Sequence, residues 1–584
     1  MAQVSLLHRR DPRTGTLVPL SATERINLLV EHPDGPAIVQ SMDAQNFYAL
    51  VREAGVDDAW ELLPYARSEQ LVAFVDYEAW QGDELVLDRV EGWLEHFSQL
   101  PDAPFERFWH TLDPEIPALW LRERIAVFLW EDDLDVIESL DTPVCSSPCG
   151  VYAIAIPDEE TVGPLIRHVL ERVYAMDIGE GHRLLEASRW ELSSDLQERA
   201  YRLRSARLED AGYLSREDSL EVFAFLEPAT WAKKIRRRVV EENPPPITFL
   251  YGKHEPVEGL LLHLEEERSK PEQTPFARAL GALPDAWPSF ALEEVLDGLL
   301  TQHRVLAQRV LMADGGAPGD RSALRRASER ALRHIDIALD MISPEGDPLL
   351  QAKVLATTPL KMLHRIGHAA LLTLQRQVRL LENRGQLTLT DAPFSLLETE
   401  DRELFAGLCE RRPLMSVAPR RPFRRLIDVE LAAQRIAAVA CQELLLYDLL
   451  GATKEQIARC LMAGSEVAAP ELVRSRSLWL SAVILKAMGR DAAIAPLPYT
   501  DLRQWLLTHP DRDSLADTMD AAGHAFLAPW LTSHPEASSM AYAFHSASVQ
   551  GFVDACALTP ADTPPTLLAT TLLLEGLPEG SAFA

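Results

Sequence analysis

The 584-residue sequence contains few cysteines, and its basic residues are outnumbered by acidic ones. Six cysteines in a chain of this length are too few for a disulfide framework. Lysine and arginine number 57 against 88 aspartates and glutamates, which gives a net charge of −31. Because this excess repels phosphate backbones and acidic membrane surfaces, nucleic acid is not expected as a partner. Basic protein surfaces and divalent cations remain as candidate partners.

Long apolar runs are also missing. No run approaches the roughly 18 residues of a membrane helix, since even LIDVELAAQRIAAVACQELLLYDLL is interrupted by Asp, Glu, Gln and Arg. The first residues, MAQVSLLHRRDPRTG, contain no apolar core of signal-peptide length. We therefore expect no membrane insertion and a cytoplasmic location.

Catalytic motifs are absent as well. The sequence contains no G-x-S-x-G, Rossmann glycine pattern, kinase signature or EF-hand loop. The segment GGAPGDRS, residues 315–322, lacks the lysine and the spacing of a phosphate loop, and it follows an expected helix instead of a strand. These absences favour a protein that is not an enzyme and needs no cofactor. An enzyme with a site between helices is kept as a weaker alternative.

The residues that are present favour helices. Hydrophobic residues make up 47% and charged residues 25%, which is typical of a globular chain. Ser21 and Glu24 match a capping box, and Asp43 is placed to cap a second helix. Ser194 and Gln197 predict another capping box. The chain should therefore contain many short helices, which are stable only when packed against neighbours.

Apolar spacing predicts longer helices over residues 289–312, 321–342 and 349–382. An eight-residue echo also suggests a repeated helical unit, because AFVDYEAW at residues 73–80 resembles AFLEPATW at residues 224–231. Tryptophans at helix faces or ends are expected to be packing anchors between helices. They include Trp80, Trp93, Trp120, Trp130, Trp190 and Trp231.

Two resemblances support a helical array. Residues 43–75, DAQNFYALVREAGVDDAWELLPYARSEQLVAFV, resemble the acidic, helical N domain of MgtE-type magnesium transporters. The wider pattern, including YRLRSARLEDAGYLSREDSLEVFAFLEP at residues 201–228, resembles an uncharacterised bacterial family of unknown function. The second resemblance implies helices and supplies no activity or functional residues. The first, with the carboxylate excess, suggests a divalent-cation-responsive regulatory module as an alternative function.

We predict a mainly α protein with N-terminal α-solenoid-like helical repeats, a short β element and a following helical bundle region. The β-prone run follows the turn-rich DTPVCSSPCG, and the prolines of EENPPPITFLYG exclude a helix. The predicted segments are a helical repeat array at 21–140, a short β hairpin or strand at 141–158, a second helical repeat block at 159–240, a proline-rich linker at 241–254, a helical bundle at 255–410, a basic proline-broken connection at 411–425 and a C-terminal helical region at 426–584.

His364 and His368 in HRIGH are spaced so that both could face one metal ion from a helix. The zinc-protease motif has a glutamate after its first histidine as general base, and this chain has Arg365 there. The fixed positive charge would also oppose a cation. The pattern favours two packed histidines, with a metal site as the weak alternative.

Cys145 and Cys149 form a C-x3-C spacing with no second cysteine pair at a zinc-ribbon distance. A thioredoxin-like site would use C-x-x-C, and structural zinc would need two more ligands. The pair is therefore a weak metal or redox candidate, and incidental cysteines in a hairpin are the favoured interpretation.

Two basic islands interrupt the acidic chain, KKIRRR at residues 233–238 and RRPLMSVAPRRPFRR at residues 411–425. The prolines of the second island should keep it out of regular structure. Each island could dock an acidic partner or pair with the protein's own carboxylates, and the second interpretation is favoured.

The function that these observations favour is a non-catalytic cytoplasmic scaffold or adaptor with a helical-repeat, protein-binding surface. It requires a protein partner, and the sequence does not indicate an oligomeric state.

Overall fold

The computed structural model describes residues 8–10, 17–247, 274–384, 396–457, 474–492 and 494–575. These residues are mainly helical with short strands, which confirms the predicted fold class; the solenoid-like arrangement stays a prediction. No helix in the described ranges has the length and apolarity needed to span a membrane.

The helices before residue 250 are α1 Ala22–Glu31, α2 Gly35–Ser41, α3 Ala44–Ala54, α4 Ser68–Glu78, α5 Leu87–Ser98, α6 Asp102–Thr111, α7 Glu115–Arg124, α8 Leu134–Glu138, α9 Gly163–Met176, α10 Ile178–Trp190, α11 Ser193–Asp210, α12 Arg216–Ser219 and α13 Pro228–Glu242. Those after it are α14 Pro275–Ala286, α15 Ser289–Ala313, α16 Arg321–Ile342, α17 Pro348–Thr357, α18 Leu360–Arg384, α19 Thr399–Cys409, α20 Leu426–Leu444, α21 Ser475–Ala487, α22 Tyr499–Leu506, α23 Arg512–Leu531, α24 Ser538–Ala555 and α25 Pro565–Thr571. The strands are β1 His8–Arg10, β2 Leu17–Pro19, β3 Trp80–Gln81, β4 Glu84–Leu85, β5 Ala126–Leu129, β6 Val144–Ser146, β7 Tyr152–Ala155, β8 Leu414–Val417, β9 Arg420–Pro422, β10 Leu497–Pro498 and β11 Leu574–Glu575.

The chain divides into two compact units whose segments alternate along the sequence, so the predicted sequential segments stay a prediction. Unit 1 contains Met1–Ala224, Lys234–Ile335 and Glu345–Arg365, and unit 2 contains Phe225–Lys233, Asp336–Pro344 and Ile366–Ala584.

Two of the predicted helix starts are confirmed. Ser21 Oγ accepts from the Glu24 amide at 3.2 Å while a Glu24 carboxylate oxygen accepts from the Ser21 amide at 2.9 Å. Asp43 caps α3 through the Gln45 amide. The capping box predicted at Ser194 and Gln197 is wrong, because α11 begins at residue 193 and has no side-chain cap.

The long helices predicted over 289–312 and 321–342 are confirmed by α15 and α16. The third prediction is wrong as a single helix, because α17 ends at Thr357 and α18 begins at Leu360. Pro359 explains the break, since proline removes a helical donor and disfavours helical backbone in the residue before it.

The echoed segments adopt different structures, so they do not mark a repeated helix. Residues 73–78 are the end of α4, whereas residues 224–227 are not helical and α13 begins only at Pro228. The similar residue pattern of these two segments therefore does not give them the same local structure.

The β hairpin predicted at 141–158 is present as β6 paired antiparallel with β7. Strand β5, which the sequence analysis did not predict, pairs with the other edge of β7 and completes a sheet of order β5–β7–β6. In unit 1, α10 packs against this sheet and against α7 and α9, and α11 packs against α7. These contacts fix the position of α10 in unit 1.

The basic island at 411–425 contains the antiparallel hairpin β8–β9, so the expectation of no regular structure is wrong. Pro419 lies in the connection between the strands and Pro422 is the last residue of β9, positions where proline disturbs a ladder least. Of the linker predicted at 241–254, residues 243–247 are outside helices. Residues 248–254 lie outside the described residues.

Candidate functional site

His364 and His368, the weak metal candidates, both lie on α18 but belong to different compact units. His364 is fully buried in unit 1, with Nδ1 3.1 Å from the Val222 carbonyl oxygen and Nε2 3.0 Å from Nδ1 of His334. Because Nδ1 donates to the carbonyl, Nε2 is left as the acceptor for His334. Both ring nitrogens of His364 are thus engaged in hydrogen bonds, as in a packed core histidine. His368, also buried, follows on the next turn of α18 and belongs to unit 2.

Cys145 and Cys149 belong to one hairpin but have different neighbours. Cys145, in β6, lies near Arg167 of α9, and burial raises the pKa of its thiol. Cys149, in the hairpin loop, has its sulfur 3.5 Å from the Tyr174 hydroxyl. Residues 167 and 174 are seven apart on α9, about 10 Å along the helix axis. The structure therefore assigns the two thiols to separate surroundings.

Cys149 lies in a cluster of polar groups. Burial acts to raise the pKa of its thiol, but hydrogen bonds from Ser147, Tyr174, the Val151 backbone and His182 outweigh burial and lower the pKa to about 7. The Ser147 hydroxyl is 3.3 Å from the sulfur. This lowered pKa favours the thiolate, which is the nucleophilic form of a cysteine.

A groove in unit 1 runs along the outer face of α10, between this helix and the α6–α7 connection. Its cavity volume is about 660 Å³. We call it the Trp190 groove. One wall is formed by α10 residues spaced three or four apart, and the other is rich in proline and aromatic side chains. Its lining residues include Leu184, Ala187 and Trp190 on α10 and Trp109, Leu112, Pro114 and Pro117 opposite.

Trp190 lines this groove and is exposed, with 67% of its surface accessible. The expectation that it is a packing anchor is therefore wrong, although Trp80, Trp93 and Trp120 are buried as expected. The Arg189 guanidinium lies 4.6 Å from the centroid of the Trp190 ring and covers one side of it. An exposed tryptophan with one face of its ring covered by a neighbouring side chain is a common feature of protein-binding surfaces.

The groove is acidic. Glu180 pairs with Arg183, and Glu191 pairs with Arg199. Glu186 accepts a hydrogen bond from the Tyr152 hydroxyl at 2.8 Å and has no ion-pair partner among the described residues.

The chain was compared with protein families, curated proteins and solved structures. The model of a family of unknown function, DUF6178, matches residues 3–575. The chain belongs to DUF6178. No curated protein and no solved structure matches it. The resemblance to an uncharacterised family is thereby confirmed, whereas the comparisons do not show the likeness to the MgtE N domain, which stays a prediction.

In this DUF6178 chain the favoured interpretation of the basic islands is confirmed for four arginines. In unit 1, Arg236 pairs with Glu345 at 3.0 Å and Arg237 with Glu241 at 2.9 Å. In unit 2, Arg421 pairs with Asp428 and Arg425 with Asp340, each at 2.7 Å. These cations are engaged by the protein's own carboxylates.

The described part of the DUF6178 chain contains no group of three or more His, Cys, Asp or Glu side chains arranged to hold a metal ion. Residues of the Trp190 groove were missed by sequence reasoning, although a pattern could have revealed them. The buried face of α10 includes Leu185 and Ser188. Trp190 lies five positions from Leu185, about 140° around the helix, and so falls outside that face.

Proposed function

We propose that this DUF6178 protein is a non-catalytic adaptor that binds a partner protein in the Trp190 groove. The proposed partner segment carries apolar side chains next to lysine or arginine. The observation that carries the proposal is the exposed Trp190 ring beside an apolar groove. The low cysteine content supports a cytoplasmic setting for this adaptor.

The apolar part of the groove supplies the binding energy in this proposal. Trp190, Leu184 and Ala187 share one side of α10, and the small Ala187 leaves room for a partner side chain between the two larger ones. A central tryptophan in such a surface typically contributes about 2 kcal/mol or more to binding.

The charge of the groove selects the partner. Glu186 lacks a cationic partner among the described residues, so a lysine or arginine of the bound segment would pair with it. The net charge of −31 also attracts basic segments over longer distances. An acidic segment would be repelled both by Glu186 and by the net negative charge of the chain.

Quantitative affinity capture with the full-length protein tests the proposal. A187E places a charged side chain in the groove at a half-buried position of α10 where glutamate is compatible with the helix. A547E makes the same change on the exposed surface of α24 in unit 2. A partner lost with A187E and retained with A547E supports the proposal. Equal recovery with both variants contradicts it.

The divalent-cation-responsive alternative rests on the MgtE likeness and the carboxylate excess, and the inter-helix enzyme rests on His364 and His368. No contact in the described residues favours either over the adaptor.

A further inference from the structure

Unit 1 contains a second cavity, of about 410 Å³, bounded by the β3–β4 hairpin, by α11 and by the loop after α15. We call it the Arg204 cavity. Its loop wall includes Gly315 and Gly316 from the GGAPGDRS segment that the sequence analysis compared with a phosphate loop. A side chain at Gly316 would come within 2.3 Å of Leu311, so glycine allows this loop to pack closely on the helix.

Arg204 is the central charged group of this cavity and only 5% exposed. Its Nε donates to the Asp76 carbonyl oxygen at 2.8 Å and its Nη1 lies 3.4 Å from the Gly82 carbonyl oxygen. No hydrogen bond links its Nη2 to a described residue. The guanidinium thus has donors left over inside a cavity.

The nearby carboxylates bond directly to a different arginine. Both carboxylate oxygens of Asp76 and both of Asp113 accept hydrogen bonds from Arg207. Arg204 is left with carbonyl oxygens, and burial lowers its pKa to about 10, with Asp76 opposing the shift. At neutral pH the side chain is still a cation, and it lacks a direct anionic partner within the described residues.

An aromatic wall stands beside this cation. The Arg204 guanidinium carbon lies 5.0 Å from the Trp80 ring centroid, and the Trp80 and Tyr201 centroids are 6.0 Å apart. Trp80 is 4% exposed, and its Nε1 hydrogen has no acceptor among the described residues.

The rim adds two further cations. Arg89 and Arg216 line the cavity, and neither forms an ion pair in the described part of the chain. Asp83 and Glu217 also line it, so the formal charge of the lining is three positive minus two negative, or +1. A net positive cavity is unexpected in a chain whose net charge is −31.

We propose that the Arg204 cavity binds a small organic anion, with a carboxylate or phosphate group on Arg204 and a planar apolar body against Trp80 and Tyr201. The planar fork of a guanidinium matches two oxygens of such a group. The volume is within the usual range for small-molecule sites. This inference does not depend on the Trp190 groove, which is lined by other residues.

Ligand-observed NMR on the full-length protein tests the inference with three probes. Benzoate carries a carboxylate and phenyl phosphate carries a phosphate, and benzamide is the neutral counterpart of both. We expect one anion to bind at least about tenfold more tightly than benzamide, because a charge-assisted hydrogen bond is lost with the neutral probe. The preferred anion identifies the group recognised.

Variants separate the site from unspecific binding. R204Q should weaken binding of the preferred anion about tenfold or more. R204K should also weaken it, because lysine lacks the planar fork of donors that a guanidinium has. W80F reduces the size of the aromatic wall and should weaken binding of the anion too. Should the buried variants fail to fold, R89A and R216A change only the rim and should each weaken binding about two- to fivefold.

R420A is the matched control, since Arg420 is exposed on β9 outside this cavity and should leave binding unchanged. The inference is overturned if neither anion binds at millimolar concentration. It is also overturned if benzamide binds as well as the anions, or if R89A and R216A bind the preferred anion as the unmodified protein does.

Discussion

Arg207 holds Asp76 through two parallel hydrogen bonds, with Nε and Nη2 each 2.8 Å from a carboxylate oxygen. The same guanidinium bonds both oxygens of Asp113, at 2.7 and 2.6 Å. The two aspartates are 4% and 5% exposed, so their charges depend on this arginine. The interaction ties α11 to α4 and to the segment before α7.

Replacing Arg207 should therefore destabilise unit 1. R207M keeps much of the side-chain volume but leaves two buried carboxylates without their main partner, at an expected cost of roughly 2–4 kcal/mol in the free energy of unfolding. R202A, on the same helix, removes an exposed pair with Glu198 and should cost less than about 0.5 kcal/mol. Urea unfolding measures both. Similar costs for the two variants would show that the Arg207 pairs are not structural.

Cys149 should react faster than Cys145 at neutral pH. Its thiol pKa of about 7 leaves a large thiolate fraction, whereas the Cys145 pKa is raised. We expect iodoacetamide to label Cys149 about tenfold faster at pH 7, after allowing for the weaker nucleophilicity of a low-pKa thiolate. Time-resolved peptide mass spectrometry measures the two rates. Y174F should slow Cys149 labelling, and equal rates for the two cysteines would refute the assigned pKa difference.

His545 should make the stability of unit 2 depend on pH. It is fully buried, its Nδ1 accepts from the Trp479 indole, and burial lowers its pKa despite the nearby Asp520 carboxylate. The unfolded chain then binds the proton more readily than the folded one. The free energy of unfolding should be constant above the unfolded pKa of about 6.5 and fall as the pH drops from there toward the lower folded value.

The test of this pH effect is a comparison of urea unfolding at several pH values for the unmodified protein and H545Q. The variant cannot titrate at this position, so its stability should fall less over the same interval. Parallel pH profiles would assign the dependence to other groups.

Gly523 should not tolerate a side chain. A Cβ at this position in α23 would lie 2.1 Å from Cε1 of His545. G523A should cost about 1–3 kcal/mol through overpacking. G92A is the matched control, because Gly92 is in α5 with open space around its Cβ position, and alanine there should stabilise the helix by about 0.5–1 kcal/mol. Thermal unfolding separates the two, and a neutral G523A would contradict the packing described.

The features that could be predicted from the sequence are those that depend on residues close together along the chain. The Ser21 capping box and helices α15 and α16 follow from local hydrogen bonding and from apolar spacing. The capping box predicted at Ser194 is wrong because the helix begins one residue before Ser194, with Leu192 at the cap position. The hydroxyl of Ser193, the first helical residue, donates to Glu123 of α7 and does not cap the helix. Such a contact between distant residues is not visible in a local pattern.

The candidate sites depend mostly on contacts between distant segments. One sign was nevertheless present in the sequence, since Leu196, Ala200, Arg204 and Leu208 share a spacing of four and are all buried on α11. An arginine within an apolar stripe indicates a buried cation. By contrast, the aromatic wall of Trp80 and the contact between Glu186 and Tyr152 depend on chain packing that spacing alone does not determine.

The most direct test of the adaptor proposal places a photo-reactive benzoyl-phenylalanine at position 190 of the 584-residue chain, expressed in its native cells. A second protein carries the same group at Leu558, which is 80% exposed in unit 2. We predict crosslinks from position 190 to a segment with apolar residues next to lysine or arginine, weakened by E186Q. Crosslinks from position 190 no more abundant than those from position 558, or only to acidic segments, would contradict the proposal.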